Sequence, residues 1–216
     1  MQASLSSYID HTLLRPDVTK QEIHKLCEEA LKYCFASVCV PPYWVKDAYD
    51  LLKESTVKVS SVVGFPLGFH LPETKLAEAI QLSKIGAQEL DMVINLPALK
   101  AKDFDTVANE IKSIVKACQP AKIKVIIETA LLNDDEKKIA CLLAKEANAH
   151  FVKTSTGFSK QGATIRDIKL MRSAVGPDIG IKASGGISTQ SQALKLIDAG
   201  ANRIGTSKGV ALLQVE

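Results

Sequence analysis

The stretch LPETKLAEAIQLSKIGAQELDMVIN, residues 71–95, carries a helical pattern and then a strand pattern. Leu76, Ala79, Ile80 and Ser83 or Lys84 recur at steps of three and four, Pro72 stands at a helix start and Gly86 at its end, so a helix is expected over 72–85. From Glu89 the spacing changes: a short apolar run with β-branched residues, ELDMVIN, predicts a strand over 89–95.

The alternation continues along the chain. Strands are expected at 8–12 (short and weak), 35–40, 58–65, 89–95, 122–129, 150–154, 180–183 and 202–205. Helices are expected at 20–33, 43–54, 72–85, 104–118, 134–147, 164–175 and 189–199, with a short last one near 208–213. Strand–helix units in this order require parallel pairing with right-handed crossovers, and eight units of about 27 residues each fit a closed (β/α)8 barrel. An open doubly wound sheet would need fewer strands or a free edge, and the early Gly-x-Gly-x-x-Gly turn of a dinucleotide fold is missing. No linker, low-complexity segment or charge block marks a second domain, so residues 1–216 are read as a single barrel domain.

Composition narrows the function. Hydrophobic residues make up 46% of the 216 and charged residues 24%, with no segment of low hydrophobicity and high charge, so a soluble globular protein is expected. The net charge of +3 is too small and too evenly spread for a nucleic-acid surface, although a small anionic ligand suits it. The opening MQASLSSYIDHTLL has no basic region followed by a long apolar core, and no apolar run reaches a membrane span of about 18 residues. A cytoplasmic location without membrane partners is the expectation. The five cysteines, Cys27, Cys34, Cys39, Cys118 and Cys141, form no Cys-x-x-Cys pair and read as reduced thiols, mostly buried.

In a barrel of this kind, side chains at the C-terminal ends of the strands converge on the face where active sites are built. Asp10, Thr12, Asp91, Asn95, Glu128, Thr129, Lys153, Thr154, Ser155, Thr156, Lys182 and Ser184 fall there. Lys153 ends HFVK and Lys182 ends IGIK on consecutive strands, which points both amines into one cavity. Apolar walls and a second cation both disfavour the charged form of lysine, so one of the two is expected to have a depressed pKa. A neutral amine is a nucleophile suited to Schiff-base formation with a carbonyl. Either lysine alone reads first as a strand-end cation reaching solvent or pairing with Asp91 or Glu128, and it is the two together on adjacent strands that favour the amine chemistry. Asp91 itself could orient a lysine, hold an iminium charge or move protons, or simply form a salt bridge across the mouth.

Two glycine-rich loops follow the last two strands, ASGGIS at 183–188 and GTSKG at 205–209. Each alone reads as a tight turn. Together they occupy the two loops where many barrels bind phosphate through backbone N–H groups. His11, His24, His70 and His150 have no metal-ligand spacing, so no metal is expected; His11 is the one placed to face the site. No Gly-x-Ser-x-Gly elbow supports acyl transfer through serine.

Across nearly the whole chain and in order, IDHTLL, SSVVGFPLG, ELDMVIN, VKTSTGF, IKASGGI and RIGTS resemble deoxyribose-phosphate aldolase, a class I lyase family. The resemblance implies reversible cleavage of 2-deoxy-D-ribose 5-phosphate to D-glyceraldehyde 3-phosphate and acetaldehyde, on a barrel, without metal or organic cofactor. It implies Lys153 as the Schiff-base lysine, Lys182 as the neighbour that lowers its pKa and joins in proton transfer, and Asp91 as the carboxylate of that relay, often acting through water. Phosphate contacts carry over to Gly185, Gly186, Gly205 and Ser207, substrate-lining hydroxyls to Thr154 and Thr156, and pocket positions to Asp10, Thr12 and Cys39. For Cys39 the alternatives are a buried thiol and a thiol facing bound aldehyde.

Two departures stand out. Some members carry a tail tyrosine that assists proton transfer, whereas here the last tyrosine is Tyr49 and the sequence ends LLQVE, so a relay through Asp91, Lys182 and water is expected. Lys208 stands where members often have a second small residue, either strengthening a phosphate site or pointing outward. The competing readings are another phosphate-binding barrel such as a sugar-phosphate isomerase, with Lys153 purely electrostatic, and an inactive barrel that binds a phosphorylated metabolite. A homodimer is expected, with Tyr43, Trp44 or Phe104 as outward apolar residues open to an interface.

Overall fold

Parallel strands joined by helical crossovers must either leave two edges or close on themselves. In the computed structural model, which describes residues 4–214, they close. Eight strands, β1 (Ile9–Thr12), β2 (Ser37–Cys39), β3 (Lys58–Val63), β4 (Glu89–Val93), β5 (Lys122–Ile126), β6 (Phe151–Lys153), β7 (Gly180–Ser184) and β8 (Arg203–Thr206), pair in sequence order, and β8 returns to β1. Registers such as Asp91↔Lys124, Lys153↔Lys182 and Asp10↔Gly205 set which side chains share a level inside the barrel.

The helices are α1 (Lys20–Tyr33), α2 (Val45–Leu52), α3 (Pro72–Lys84), α4 (Leu96–Lys100), α5 (Phe104–Ala117), α6 (Asp134–Glu146), α7 (Ile165–Val175) and α8 (Gln190–Asp198). Capping chemistry fixes several starts. Thr19 with Glu22, Asn133 with Glu136 and Thr189 with Gln192 form reciprocal capping boxes. Such caps are worth about 1 kcal/mol each.

The outline matches the sequence reading, with local differences. The strand read to Asn95 stops at Val93, because Asn95 caps the short helix α4 by accepting from the Ala98 N–H at 3.2 Å, with Pro97 in its first turn. The helix read over 43–54 is a 3-10 turn, Pro42–Trp44, followed by α2. The short last helix is a single 3-10 turn, Ala211–Leu213, and Tyr8 ends another, Leu5–Tyr8, ahead of β1. Trp44 is half-buried, its indole donating to the Val18 carbonyl at 3.2 Å, and Phe104 is half-buried too; Tyr43 alone of those three is exposed.

Successive strand residues face opposite sides of a sheet. One set, including Ile9, Val38, Val59, Leu90, Met92, Ile123, Val125, Val152, Ile181 and Ile204, joins Ile23, Ala79, Ile111, Cys141, Ile168 and Met171 of the helices in the apolar core. That core is therefore an annulus between the strands and the helices. The other set fills the barrel's interior and is largely polar.

A fully buried ion pair also lies outside the barrel. Lys75 on α3 donates to Glu110 on α5 at 2.8 Å and to the Val93 carbonyl at the end of β4 at 2.8 Å, with neither side chain reaching solvent. It ties two helices to the strand end that leads into the active face. Lys75→Met strands an unpaired carboxylate, so chemical denaturation should show a loss of about 3–5 kcal/mol. Most of it should return in Lys75→Met/Glu110→Leu, where neither charge remains.

Candidate active site

The inward-facing strand residues bring seven ionisable groups together. Asp91 on β4 contacts Lys124 on β5 at 2.7 Å, and Lys124 contacts Glu89 at 2.7 Å. Glu89 meets Arg203 on β8 at 3.1 Å, Arg203 meets Asp10 on β1 at 2.5 Å, and Asp10 meets Lys182 on β7 at 2.5 Å. Lys182 closes the circuit on Asp91 at 2.8 Å. The result is a ring of alternating sign in which Asp91, Glu89 and Asp10 are matched by Lys124, Arg203 and Lys182. Lys153 on β6 is the extra cation, bound to the ring through Asp91 Oδ2 at 2.8 Å.

Both catalytic candidates, Lys153 and Lys182, thus touch the same carboxylate oxygen, as the pairing of Lys153 with Lys182 across adjacent strands requires. Their environments differ. Burial pushes the Lys153 amine below its ordinary pKa; Asp91 opposes this, and Lys182 adds to the lowering. Burial acts on Lys182 as well, but Asp10 and Asp91 outweigh it and hold that amine well above the ordinary lysine value. For Asp91, burial opposes ionisation, yet Lys124, Lys153 and Lys182 together keep it well below the usual carboxylate range. The site accordingly holds one destabilised ammonium beside one firmly charged ammonium.

The apolar walls expected around these lysines are not what surrounds them. Besides the charged ring, Ser60 donates to Asp91 at 3.2 Å and accepts from Lys124 at 3.2 Å, and Cys39 lies buried nearby. Depression of Lys153 therefore comes from removal of water and from Lys182. Lys124, Glu89 and Arg203 are not among the residues the sequence singles out, because they precede the C-terminal ends of their strands. Each stands two residues before an inward position: Lys124 before Ile126, Glu89 before Asp91, and Arg203 before Gly205. The period of two could have placed them inside.

Above the lysines, at the C-terminal ends of the strands, opens a cavity of about 610 Å³. Lys153, 2% exposed, forms part of its floor. Thr12, Thr156, Gly185, Gly186, Gly205, Ser207 and Lys208 are on its walls. Gly186 has φ +74° with open space where a Cβ would stand, so its backbone conformation requires glycine and leaves its face free. Gly185, at φ +87°, approaches the backbone of Gly162, while the Ala163 N–H donates to the carbonyls of Ser184 and Gly185 at 3.0 and 3.2 Å. The loop after Lys153 is thereby fastened to the loop after Lys182. A larger cavity, about 710 Å³, lies at the opposite end of the barrel, where Lys58, Glu89 and Lys122 begin their strands; it does not include Lys153.

Other residues singled out from the sequence have different surroundings. Asp10, Thr154 and Cys39 are buried and do not border the mouth cavity. Asp10 is committed to the charged ring, and the Thr154 hydroxyl donates to the Ser184 carbonyl and accepts from its N–H, both at 3.1 Å. Burial, with Asp91 close by, pushes the Cys39 thiol above its ordinary pKa. Glu128 pairs with no lysine; its Oε2 accepts from the Thr156 hydroxyl at 2.5 Å and N–H at 3.2 Å. His11 turns away from the site toward the helices, 2.7 Å from Glu29 and edge-on to Phe35. Among the described residues no group of three His, Cys, Asp or Glu side chains is arranged to hold a metal, and no helix is long and apolar enough to cross a membrane.

Comparison with known proteins agrees with this geometry. The profile of the DeoC/LacD family aldolase matches residues 5–214. Deoxyribose-phosphate aldolase 1 of Bacillus licheniformis is 57% identical over 215 residues, covering 99% of this chain and 96% of that one. Among solved structures, an aldolase designated QR15 superposes with a TM-score of 0.93 at 41% identity, covering 96% of this chain and 93% of that one. The tetrameric deoxyribose phosphate aldolase of Aeropyrum pernix does so with a TM-score of 0.90 at 36% identity, covering 97% and 89%. With two lysines on one aspartate beneath a glycine-walled mouth, and a match that spans the barrel from end to end, the chain belongs to the DeoC/LacD aldolase family.

Proposed function

We propose that this chain is a deoxyribose-phosphate aldolase that reversibly cleaves 2-deoxy-D-ribose 5-phosphate into D-glyceraldehyde 3-phosphate and acetaldehyde through an imine on Lys153. One observation carries the reading: Lys153 and Lys182 each lie 2.8 Å from the same Asp91 oxygen, and only Lys153, the amine bordering the mouth cavity, has its pKa lowered.

Neutral Lys153 adds to the C1 aldehyde of the open-chain sugar, and the carbinolamine loses water to give a protonated imine. A base, with water as the carrier, removes the C3 hydroxyl proton. The C3–O electrons form the new carbonyl as the C2–C3 bond breaks, and that bond's pair moves into a C1–C2 double bond while the C1–N π pair returns to nitrogen. Glyceraldehyde 3-phosphate leaves and an enamine remains on Lys153. Protonation at C2 and addition of water release acetaldehyde and restore the amine.

Lys182, held charged by Asp10 and Asp91, is the fixed cation beside the imine. Asp91 is bonded to both amines and so connects them for proton transfer; its low pKa makes it a conduit, not a place where the proton rests. The loops bearing Gly185, Gly186, Gly205 and Ser207 hold the phosphate, with Lys208 on the same wall, and Thr12 and Thr156 offer hydroxyls to the sugar. Fixing a phosphate several bonds from the aldehyde converts binding into orientation, a contribution of roughly 7–11 kcal/mol in favourable systems. Thr154, Asp10 and Cys39 act from beneath this layer. The enzyme works in the cytoplasm as a one-domain barrel.

Substrate with borohydride should leave a reduced adduct whose mass maps to Lys153, and Lys153→Ala should lose both adduct and cleavage. Retained cleavage in that variant would refute the proposal, and cleavage without any adduct would favour a barrel that uses no imine. Cys39→Ala should slow inactivation by excess acetaldehyde if the thiol meets aldehyde; an unchanged inactivation rate assigns it to packing. Light scattering should return twice the monomer mass, since a homodimer is the assembly proposed.

A further inference from the structure

Arg203 and Glu89 touch neither Lys153 nor the mouth cavity, yet each occupies a link in the charged ring. Arg203 holds Asp10 Oδ1 while Asp10 Oδ2 faces Lys182. Glu89 holds Lys124 at 2.7 Å while Lys124 holds Asp91 Oδ1 at 2.7 Å. One route therefore ends on Asp91, which contacts Lys153, and the other on Lys182, which shares that Asp91 oxygen with it. The ring's charges cancel in pairs, and Lys153 is the seventh, unmatched member.

We propose that Arg203 and Glu89 are positioning residues that set how readily Lys153 sheds its proton, by fixing the net charge of the ring on which that amine sits. The inference rests on Lys153 as the imine-forming amine and adds the back of the ring to the machinery. Arg203 is suited to the part because its fork bonds Asp10 and Glu89 at once, with Phe151 under the guanidinium at 5.6 Å. The groups that face Lys153 itself are Asp91 on β4, Lys182 on β7 and the buried Cys39 thiol on β2. Glu128, at the rim of the β5 end, is bonded to Thr156. A change at Arg203 or Glu89 alters the charge behind these groups without removing any of them.

The signs follow from electrostatics. Removing the Arg203 cation leaves the ring with a surplus negative charge, which favours the protonated amine, so the acid limb of the pH–rate profile moves to higher pH. Removing the Glu89 carboxylate leaves a surplus positive charge and moves the limb to lower pH. At an effective dielectric constant near 20, one charge at about 10 Å is worth on the order of one pH unit.

The experiment follows kcat/KM for cleavage, and the yield of borohydride-reduced adduct on Lys153, across pH in Arg203→Gln, Glu89→Gln, the double variant and Arg203→Lys. The limb should rise by about one pH unit in Arg203→Gln and fall by about one in Glu89→Gln. It should return toward the original in the double variant and stay there in Arg203→Lys. Shifts of the same direction, or none, in folded variants overturn the inference, because a structural role has no reason to track charge sign. Should a single variant fail to fold, the other single variant and the double variant decide. Absence of a Lys153 adduct in the unmodified protein removes the functional reading and this inference together, whereas an adduct without opposite shifts removes this inference alone.

Discussion

Asp91 Oδ2 accepts from two lysines at 2.8 Å each, and the arrangement of the barrel's interior follows from having to support that contact away from water. A buried ion without a partner costs several kcal/mol even after the surroundings relax. Two cations on one carboxylate oxygen cannot stand alone. The remaining links, from Lys182 through Asp10, Arg203, Glu89 and Lys124 to the other oxygen of Asp91, leave each carboxylate between cations. Lys153 then has the weakest claim on its proton: it has one carboxylate where Lys182 has two. In the proposed mechanism, the nucleophilicity of Lys153 comes from being the surplus member of an otherwise balanced set.

An interior filled in this way cannot also be the fold's hydrophobic core, which branched aliphatic residues usually extend into a barrel of this kind. Here the apolar surface is buried on the other side of the strands, against the helices. The division is economical in sequence: in ELDMV and KIKVI, neighbouring residues serve opposite layers, one charged and inward, the next apolar and outward. A slip of one residue in register would exchange the layers and bury the charges among helices, so the ring also opposes alternative registers.

The same division explains what the sequence discloses and what it hides. Eight strand–helix alternations are readable because each helix carries its own periodicity and each crossover demands a parallel neighbour. Lys153 and Lys182 are readable because they end their strands and precede glycine or hydroxyl loops. Lys124, Glu89 and Arg203 sit within strands, where a charged residue looks like a solvent-facing position until the barrel is known to close. Glu128 and His11 illustrate the opposite limit. Glu128 lies past the end of β5 and His11 faces away from the site, and their partners, Thr156 and Glu29, come from elsewhere in the sequence and follow from no local spacing. Asn95 reads in sequence as a strand-end polar residue, whereas its amide oxygen caps the helix that follows.

Space, as well as charge, constrains the site. A Cβ on Gly205 would stand 2.9 Å from Lys182 Cε and 3.0 Å from the Ser184 Cβ, so glycine is what lets the Lys182 chain extend past β8 to Asp10 and Asp91. The position does two things: it borders the mouth cavity, and it leaves room for the charged amine that disfavours protonation of Lys153. A side chain there would push Lys182 off its carboxylates before it crowded the mouth. Gly162 and Gly185 impose a similar condition one layer higher, where a Cβ on Gly162 would lie 2.0 Å from the Gly185 carbonyl oxygen. Close backbone contact at that level holds the loop after Lys153 against the loop after Lys182, so the mouth is built on the same two strands that supply the amines beneath it.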